Sequence, residues 1–238
     1  MKKLLFRADG NATIGAGHIM RCLSVGEAAR ELGLECVYVT ADASFEKLIQ
    51  DRGFSCVVMN TLYSDMDREW PALDPVLTRV GPDAVFIDSY YVTPDYLKRL
   101  GAYGKTIYLD DVLAFAYPAD VLINYNIYAD REDYESLYSG ENTTMPELLL
   151  GTGYVPLRKE FQLSEVPPVR AHMERVLVSV GGADPERMAL KFLNCFIQDR
   201  ELFGICRQKL QLPAHSCQKI RFLPTVSGIY HNSTGLKG

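Results

Sequence analysis

Several things are missing from these 238 residues, and each absence excludes something. The apolar runs reach only about six residues, far short of the roughly 20 needed to cross a bilayer as a helix. The opening Met1-Lys2-Lys3-Leu4-Leu5-Phe6-Arg7 is basic, but its apolar stretch stops at Arg7, too soon for the core of a signal peptide. It is expected to be a first β-strand of a cytoplasmic protein. The six cysteines, Cys22, Cys36, Cys56, Cys195, Cys206 and Cys217, form no Cys-x-x-Cys pair and keep no zinc spacing with His172, His215 or His231. Buried free thiols in a reducing compartment are the expectation, with no metal and no cofactor. Neither G-x-G-x-x-G nor a Walker A sequence occurs, so dinucleotide and P-loop fingerprints are excluded, and without G-x-S-x-G there is no serine-hydrolase elbow.

Acid is missing from one end. All 30 acidic residues lie at or before Glu201, and the last 37 residues hold five bases and no acid. At the density of the first 201 residues that tail should hold about five or six acids. Five scattered bases grip phosphates weakly, and the remaining body is acidic with no basic stripe. Nucleic acid and membrane are therefore not expected partners. The tail, 202–238, is expected to be a truncated or altered end.

What is present is an ordinary globular composition, 47% apolar and 23% charged. Short, nearly continuous apolar runs recur at Lys3–Arg7, Cys36–Thr40, Cys56–Met59, Ala84–Asp88, Thr106–Leu109, Val121–Asn124, Glu147–Leu150 and Arg175–Val180. Runs of this kind suit strands covered on both faces, as in a parallel sheet. Helical patterns fall between them. Gly17–Leu32 carries an apolar stripe and stops at Gly33, and Ser44–Arg52 stops at Gly53. Asp74-Pro75 and Thr93-Pro94 look like N-caps followed by proline at the first helical position. The alternation predicts an α/β fold, with a complete Rossmann-like domain over 1–163. Ser164–Val169, with its paired prolines, is expected to link it to a partial second α/β domain over 170–238.

Three groups of residues could carry chemistry. The first follows strand one: Arg7-Ala8-Asp9-Gly10-Asn11-Ala12-Thr13-Ile14-Gly15-Ala16-Gly17-His18. In open α/β sheets ligands gather at the carboxyl ends of strands, where glycines let backbone approach and helix N-termini offer free N–H groups. A plain tight turn would use the same glycines. His18 sharpens the pattern: the positive end of the helix dipole disfavours an imidazolium there, and a neutral imidazole is what a general base requires. The second is the set of polar strand ends, Asp88-Ser89-Tyr90, Asp110-Asp111 and Asn124-Tyr125-Asn126, which suit a sugar with many hydrogen-bonding groups but also suit ordinary turns. The third is Ser179-Val180-Gly181-Gly182-Ala183-Asp184, a glycine turn on which a diphosphate could rest.

Taken together these residues resemble a known family, the UDP-2,4-diacetamido-2,4,6-trideoxy-β-L-altropyranose hydrolases of pseudaminic acid biosynthesis. The resemblance lies in Arg7-Ala8-Asp9 followed by Ile14-Gly15-Ala16-Gly17-His18-Ile19-Met20-Arg21. It continues through Asp88-Ser89-Tyr90, Asp110-Asp111, Asn124-Tyr125-Asn126, Gly151, Tyr154, Leu157-Arg158, Glu160-Phe161 and Gly181-Gly182-Ala183-Asp184, over about residues 1 to 196. It implies a glycosyltransferase-B-like fold and a UDP-sugar substrate. It implies His18 as the base that activates water, with Asp9, Gly15, Gly17, Arg21, Tyr90 and Asn126 near the sugar and Gly181 and Gly182 near the nucleotide. UDP would leave without a metal or cofactor, and the chain would be a monomer or a weak homo-oligomer. Beyond about Cys195 the family's remaining nucleotide-holding residues have no counterpart. A sugar-binding remnant without catalysis and a glycosyltransferase acceptor domain are the alternative readings.

Overall fold

The computed structural model describes residues 1–161 and 187–192. Two compact units divide the chain: Met1–Asn11 with Gly17–Gln162, and Ala12–Ala16 with the residues from Leu163 onward. The strand expected at Arg175–Val180, the 164–169 linker, and Gly181 and Gly182 lie outside the described residues, while residues 188–192 are helical.

The first unit is built on one seven-stranded sheet, all parallel, in the order β3-β2-β1-β4-β5-β6-β7. The strands are β1 Lys3–Ala8, β2 Glu35–Thr40, β3 Ser55–Val58, β4 Ala84–Asp88, β5 Lys105–Leu109, β6 Val121–Asn124 and β7 Glu147–Leu150. The helices are α1 Gly17–Glu31, α2 Glu46–Asp51, α3 Trp70–Val80, α4 Pro94–Leu100 and α5 Arg131–Tyr138. This is a Rossmann-like α/β arrangement. The chain runs outward from β1 to β3, then returns to pair β4 against β1, so the order reverses between β1 and β4. That reversal opens a crevice at the carboxyl ends of the two strands, the usual ligand position in such sheets.

Alternation along β1 separates two cores. Leu4, Phe6 and Ala8 pack with Ile19, Cys22 and Leu23 of α1 and Ile49 of α2. Leu5 points the other way, into a cluster with Leu73 and Leu77 of α3, Tyr96 and Leu97 of α4 and Tyr134 of α5. Burial on both faces is why the strands read as continuous apolar runs. Helix α1 lies unusually close to β2. A Cβ at Gly26 would stand 2.0 Å from the Tyr38 hydroxyl, which donates to the Cys22 carbonyl at 3.0 Å.

The Thr93-Pro94 reading holds: the Thr93 hydroxyl accepts from the Tyr96 amide at 3.1 Å and Pro94 opens α4. The Asp74-Pro75 reading does not. Helix α3 starts at Trp70, and Pro75 lies inside it. The Asp74 carboxylate instead accepts from Arg99 and, at 2.9 Å, from the Tyr103 hydroxyl, tying α3 to α4 and the turn after it. Helix α5 was not anticipated. It is capped by Asp130, which accepts from the Glu132 amide at 2.9 Å, and it buries Tyr134 and Tyr138, one turn apart.

Candidate active site

The crevice between β1 and β4 is lined from both sides. Helix α1 begins at Gly17, so His18 sits in its first turn, and Asp88 closes β4. The two residues are 70 positions apart and meet at 2.5 Å between His18 Nδ1 and Asp88 Oδ1. Both are buried, at 6% and 1% exposure. A carboxylate at Nδ1 accepts a hydrogen bond from the N–H there and leaves the Nε2 lone pair for another partner.

One turn along α1, Arg21 grips the same carboxylate with two prongs. Its Nε donates to Oδ2 and its Nη2 to Oδ1, each at 2.8 Å. Its Nη1 donates to the Tyr125 hydroxyl at 2.9 Å and lies 4.0 Å from Asp111. Burial alone would raise the Asp88 carboxyl, but the hydrogen bonds from His18 and Arg21 outweigh it and hold the group below the usual carboxylate range. Asp88 is thus a fixed anion. Tyr90, half-exposed, sets its ring edge-on to His18 with centroids 4.8 Å apart and donates its hydroxyl to Asp111 at 2.9 Å. Partial burial and that bond to Asp111 both push the Tyr90 phenol up.

The other anticipated residues take varied places. Asp9 is buried, with one oxygen accepting the Ala41 amide and the other the Arg7 guanidinium, each at 2.6 Å. Its carboxylate joins the ends of β1 and β2. Gly17 is exposed, and a Cβ there would meet nothing within 4 Å, so packing does not require glycine. Gly15 belongs to the other compact unit and takes φ +76°, a conformation that favours glycine. Asn126 is half-buried in the turn after β6 and donates to the Asn124 side chain at 3.0 Å. The structure therefore brings His18, Arg21 and Tyr90 together around Asp88.

Asp88, Asp111 and Tyr125 are parts of this cluster whose roles the motif spacing does not disclose. The available signal was topological: a polar residue ending the strand paired directly with β1. A neighbouring anion, Asp110, is spent on structure. It accepts from the Val112 amide, the Tyr117 hydroxyl and, at 2.6 Å, the Tyr134 hydroxyl. Among the described residues no cluster of three potential metal ligands occurs, and no helix is long and apolar enough to cross a membrane.

No protein-family model matches the chain. It is 25% identical over 194 residues to the UDP-2,4-diacetamido-2,4,6-trideoxy-beta-L-altropyranose hydrolase of Campylobacter jejuni, covering 81% of this chain and 65% of that protein. It is 24% identical over 211 residues to an uncharacterized protein of Methanocaldococcus jannaschii, covering 85% of this chain and 41% of that protein. The chain thus spans less than two thirds of the length of either relative. A short chain dehydrogenase/reductase family oxidoreductase from Aeromonas hydrophila aligns over 68% of this chain and 85% of that one, at 12% identity and a TM-score of 0.30. So slight a structural likeness carries no argument. The hydrolase similarity is a distant relationship.

Proposed function

We propose that this chain hydrolyses a UDP-linked diacetamido-trideoxy sugar, releasing UDP and the free sugar for nonulosonic (pseudaminic) acid synthesis. The observation that carries the reading is the His18–Asp88 contact at 2.5 Å in the β1/β4 crevice. With Nδ1–H committed to a fixed carboxylate, Nε2 can take a proton from water. The water oxygen then forms a bond to the anomeric carbon as the bond from that carbon to the UDP oxygen breaks, inverting the centre. UDP departs with the bonding pair, and the base carries the water proton. UDP is a competent leaving group, so the protein's main tasks are placing water and stabilising diphosphate charge.

The distant Campylobacter jejuni relative supports the substrate class. The Gly181-Gly182 turn is the proposed diphosphate rest, and the second domain of a glycosyltransferase-B-like arrangement is the proposed source of the nucleotide site. Tyr90, whose ring lies 4.8 Å from that of His18, is the proposed sugar contact. Free thiols at Cys22, Cys36 and Cys56 suit a reducing, cytoplasmic setting.

The test is UDP release from UDP-2,4-diacetamido-2,4,6-trideoxy-β-L-altropyranose by the wild type and by His18→Gln, run in oxygen-18 water. The reading expects label in the sugar product and a loss of about 10² to 10⁴-fold in the variant, with its cooperative melt intact. No UDP release by the wild type would overturn the hydrolase assignment. Undiminished turnover by His18→Gln would overturn the base assignment.

A further inference from the structure

We infer that Arg21 is a positioning residue for the His18–Asp88 pair and not a ligand of the sugar. The kinetic part of this inference rests on the hydrolase reading; the spectroscopic part rests on geometry alone. Three features of the guanidinium support it. All three of its nitrogens are engaged: Nε and Nη2 hold both oxygens of Asp88 at 2.8 Å, and Nη1 holds the Tyr125 hydroxyl at 2.9 Å. A two-pronged grip fixes the plane of the carboxylate as well as its distance, and so fixes the direction from which Oδ1 meets His18 Nδ1. The guanidinium is also mostly buried, with 20% of the side chain exposed, so its commitments face inward.

The third feature is charge. Among the described residues, Arg21 is the only permanent cation within ion-pair distance of Asp88. Among the described residues, the other ionisable groups around the cluster include Asp111, Tyr90, Tyr125, Tyr108, Cys22 and Asp9, none of them cationic. Facing Asp88 alone, the imidazole would be drawn to take a second proton, because a bare carboxylate favours the imidazolium. Arg21 balances that carboxylate, and its Nη2 lies 2.9 Å from His18 Nδ1. Arg21 thus lets Asp88 orient the ring while limiting its tendency to charge it. A base needs both, since a doubly protonated imidazole cannot accept a proton from water.

The experiment uses the full chain carrying Arg21→Met, Arg21→Lys and Tyr125→Phe. Nitrogen-15 spectra of the imidazole, assigned with His18→Gln, give the tautomer and the pH of ring protonation. UDP release against pH gives kcat and KM. In Arg21→Met the protonation midpoint should rise by about one pH unit, the acid limb of kcat should move with it, and KM should stay within about twofold. Arg21→Lys restores the charge without the fork, so its midpoint should return toward wild type while kcat stays reduced. Tyr125→Phe, which removes only the third anchor, should shift the midpoint less, in the same direction, and it carries the test should Arg21→Met lose its cooperative melt. A raised KM with kcat and the midpoint unmoved would overturn the inference and make Arg21 a substrate ligand. Absence of UDP release by the wild type would defeat the hydrolase reading, while the spectra would still decide the role of Arg21.

Discussion

Arg7 and Glu69 lie 62 residues apart and join in a fully buried, two-pronged ion pair, Nε to Oε1 at 2.7 Å and Nη2 to Oε2 at 2.5 Å. The third guanidinium nitrogen reaches Asp9 at 2.6 Å, and the Tyr96 hydroxyl donates to Glu69 Oε1 at 2.5 Å. Burial would lower the affinity of Arg7 for its proton, but the bonds to Glu69 and the charge of Asp9 more than reverse this, so the arginine stays charged. Asp9 passes the constraint on to the Ala41 amide just past the end of β2.

Removing one member of such a network leaves its partner charged and unpaired in the core. Glu69→Ala is expected to lower the free energy of unfolding by about 3–5 kcal/mol. The double replacement Arg7→Met with Glu69→Leu is expected to cost much less than the two single changes added together. Urea unfolding of the four proteins in the cycle checks this. Additive losses would show that the pair is not the unit of stability.

Acid should reach Asp88 only after it has reached most of the surface carboxylates. The folded-state value of this carboxyl is depressed, through His18 and Arg21 acting against burial. A depressed carboxyl stabilises the fold above its unfolded value, about 3.9, and loses that contribution as pH falls through the lower folded value. The wild type is therefore expected to lose stability steeply from about pH 4 downward. Asp88→Asn, which lacks the titrating group, should start less stable at pH 6 and show a shallower decline. Denaturant midpoints of both proteins at pH 6 and pH 3.5 make the comparison, and parallel declines would remove Asp88 from the account.

Two glycines of α1 should respond oppositely to alanine. At Gly26 the added methyl would meet the Tyr38 hydroxyl at 2.0 Å, so Gly26→Ala must push the helix away from β2 and is expected to cost about 1–3 kcal/mol. At Gly17 there is open space, and alanine is a better helix former than glycine. Gly17→Ala should leave the thermal midpoint level or slightly raised while impairing UDP-sugar turnover under the proposed function, in which the helix start meets the sugar. Thermal scans and UDP release together separate packing from contact. Normal turnover in Gly17→Ala would show that the helix start does not touch the substrate.

All seven of these strands were legible because parallel pairing buries both faces and leaves a continuous apolar signature. Helix α1 was legible through Gly33, which takes φ +83° at its end. The start of α3 was not. Asp74-Pro75 has the chemistry of a capped first turn, yet Trp70, Leu73 and Leu77 bury a helical face that begins earlier, and tertiary burial decided the boundary. Helix α5 hid because charge dominates its sequence and its inward face is short, with Tyr134 and Tyr138 buried and Leu137 partly so. His18 stood out by its place after a glycine loop. Its partner Asp88 could not be assigned by spacing, since the link between them is made by the β1/β4 pairing and by nothing local in the chain.

The turn after β5 supplies the last prediction. Asp110 is 1% exposed and gathers the Val112 amide, the Tyr117 hydroxyl and the Tyr134 hydroxyl, and Tyr134 in turn accepts from the Asn124 side chain at 2.9 Å. Leu113, also bonded to Asp110, takes φ 55°, a left-handed conformation that a branched side chain adopts only under constraint. Tyr134→Phe keeps the ring in its core and deletes one oxygen. It leaves a carboxylate short of a donor and an amide short of an acceptor, both buried, and should cost about 1–3 kcal/mol. Asp110→Asn should cost more, because it also replaces the anion holding the strained turn. If this turn is a local device, hydrogen exchange in Tyr134→Phe will quicken at Val112 and Leu113 while the amides of β1 and β2 keep their protection. Uniform quickening across the sheet would instead make the Asp110 cluster part of the global core.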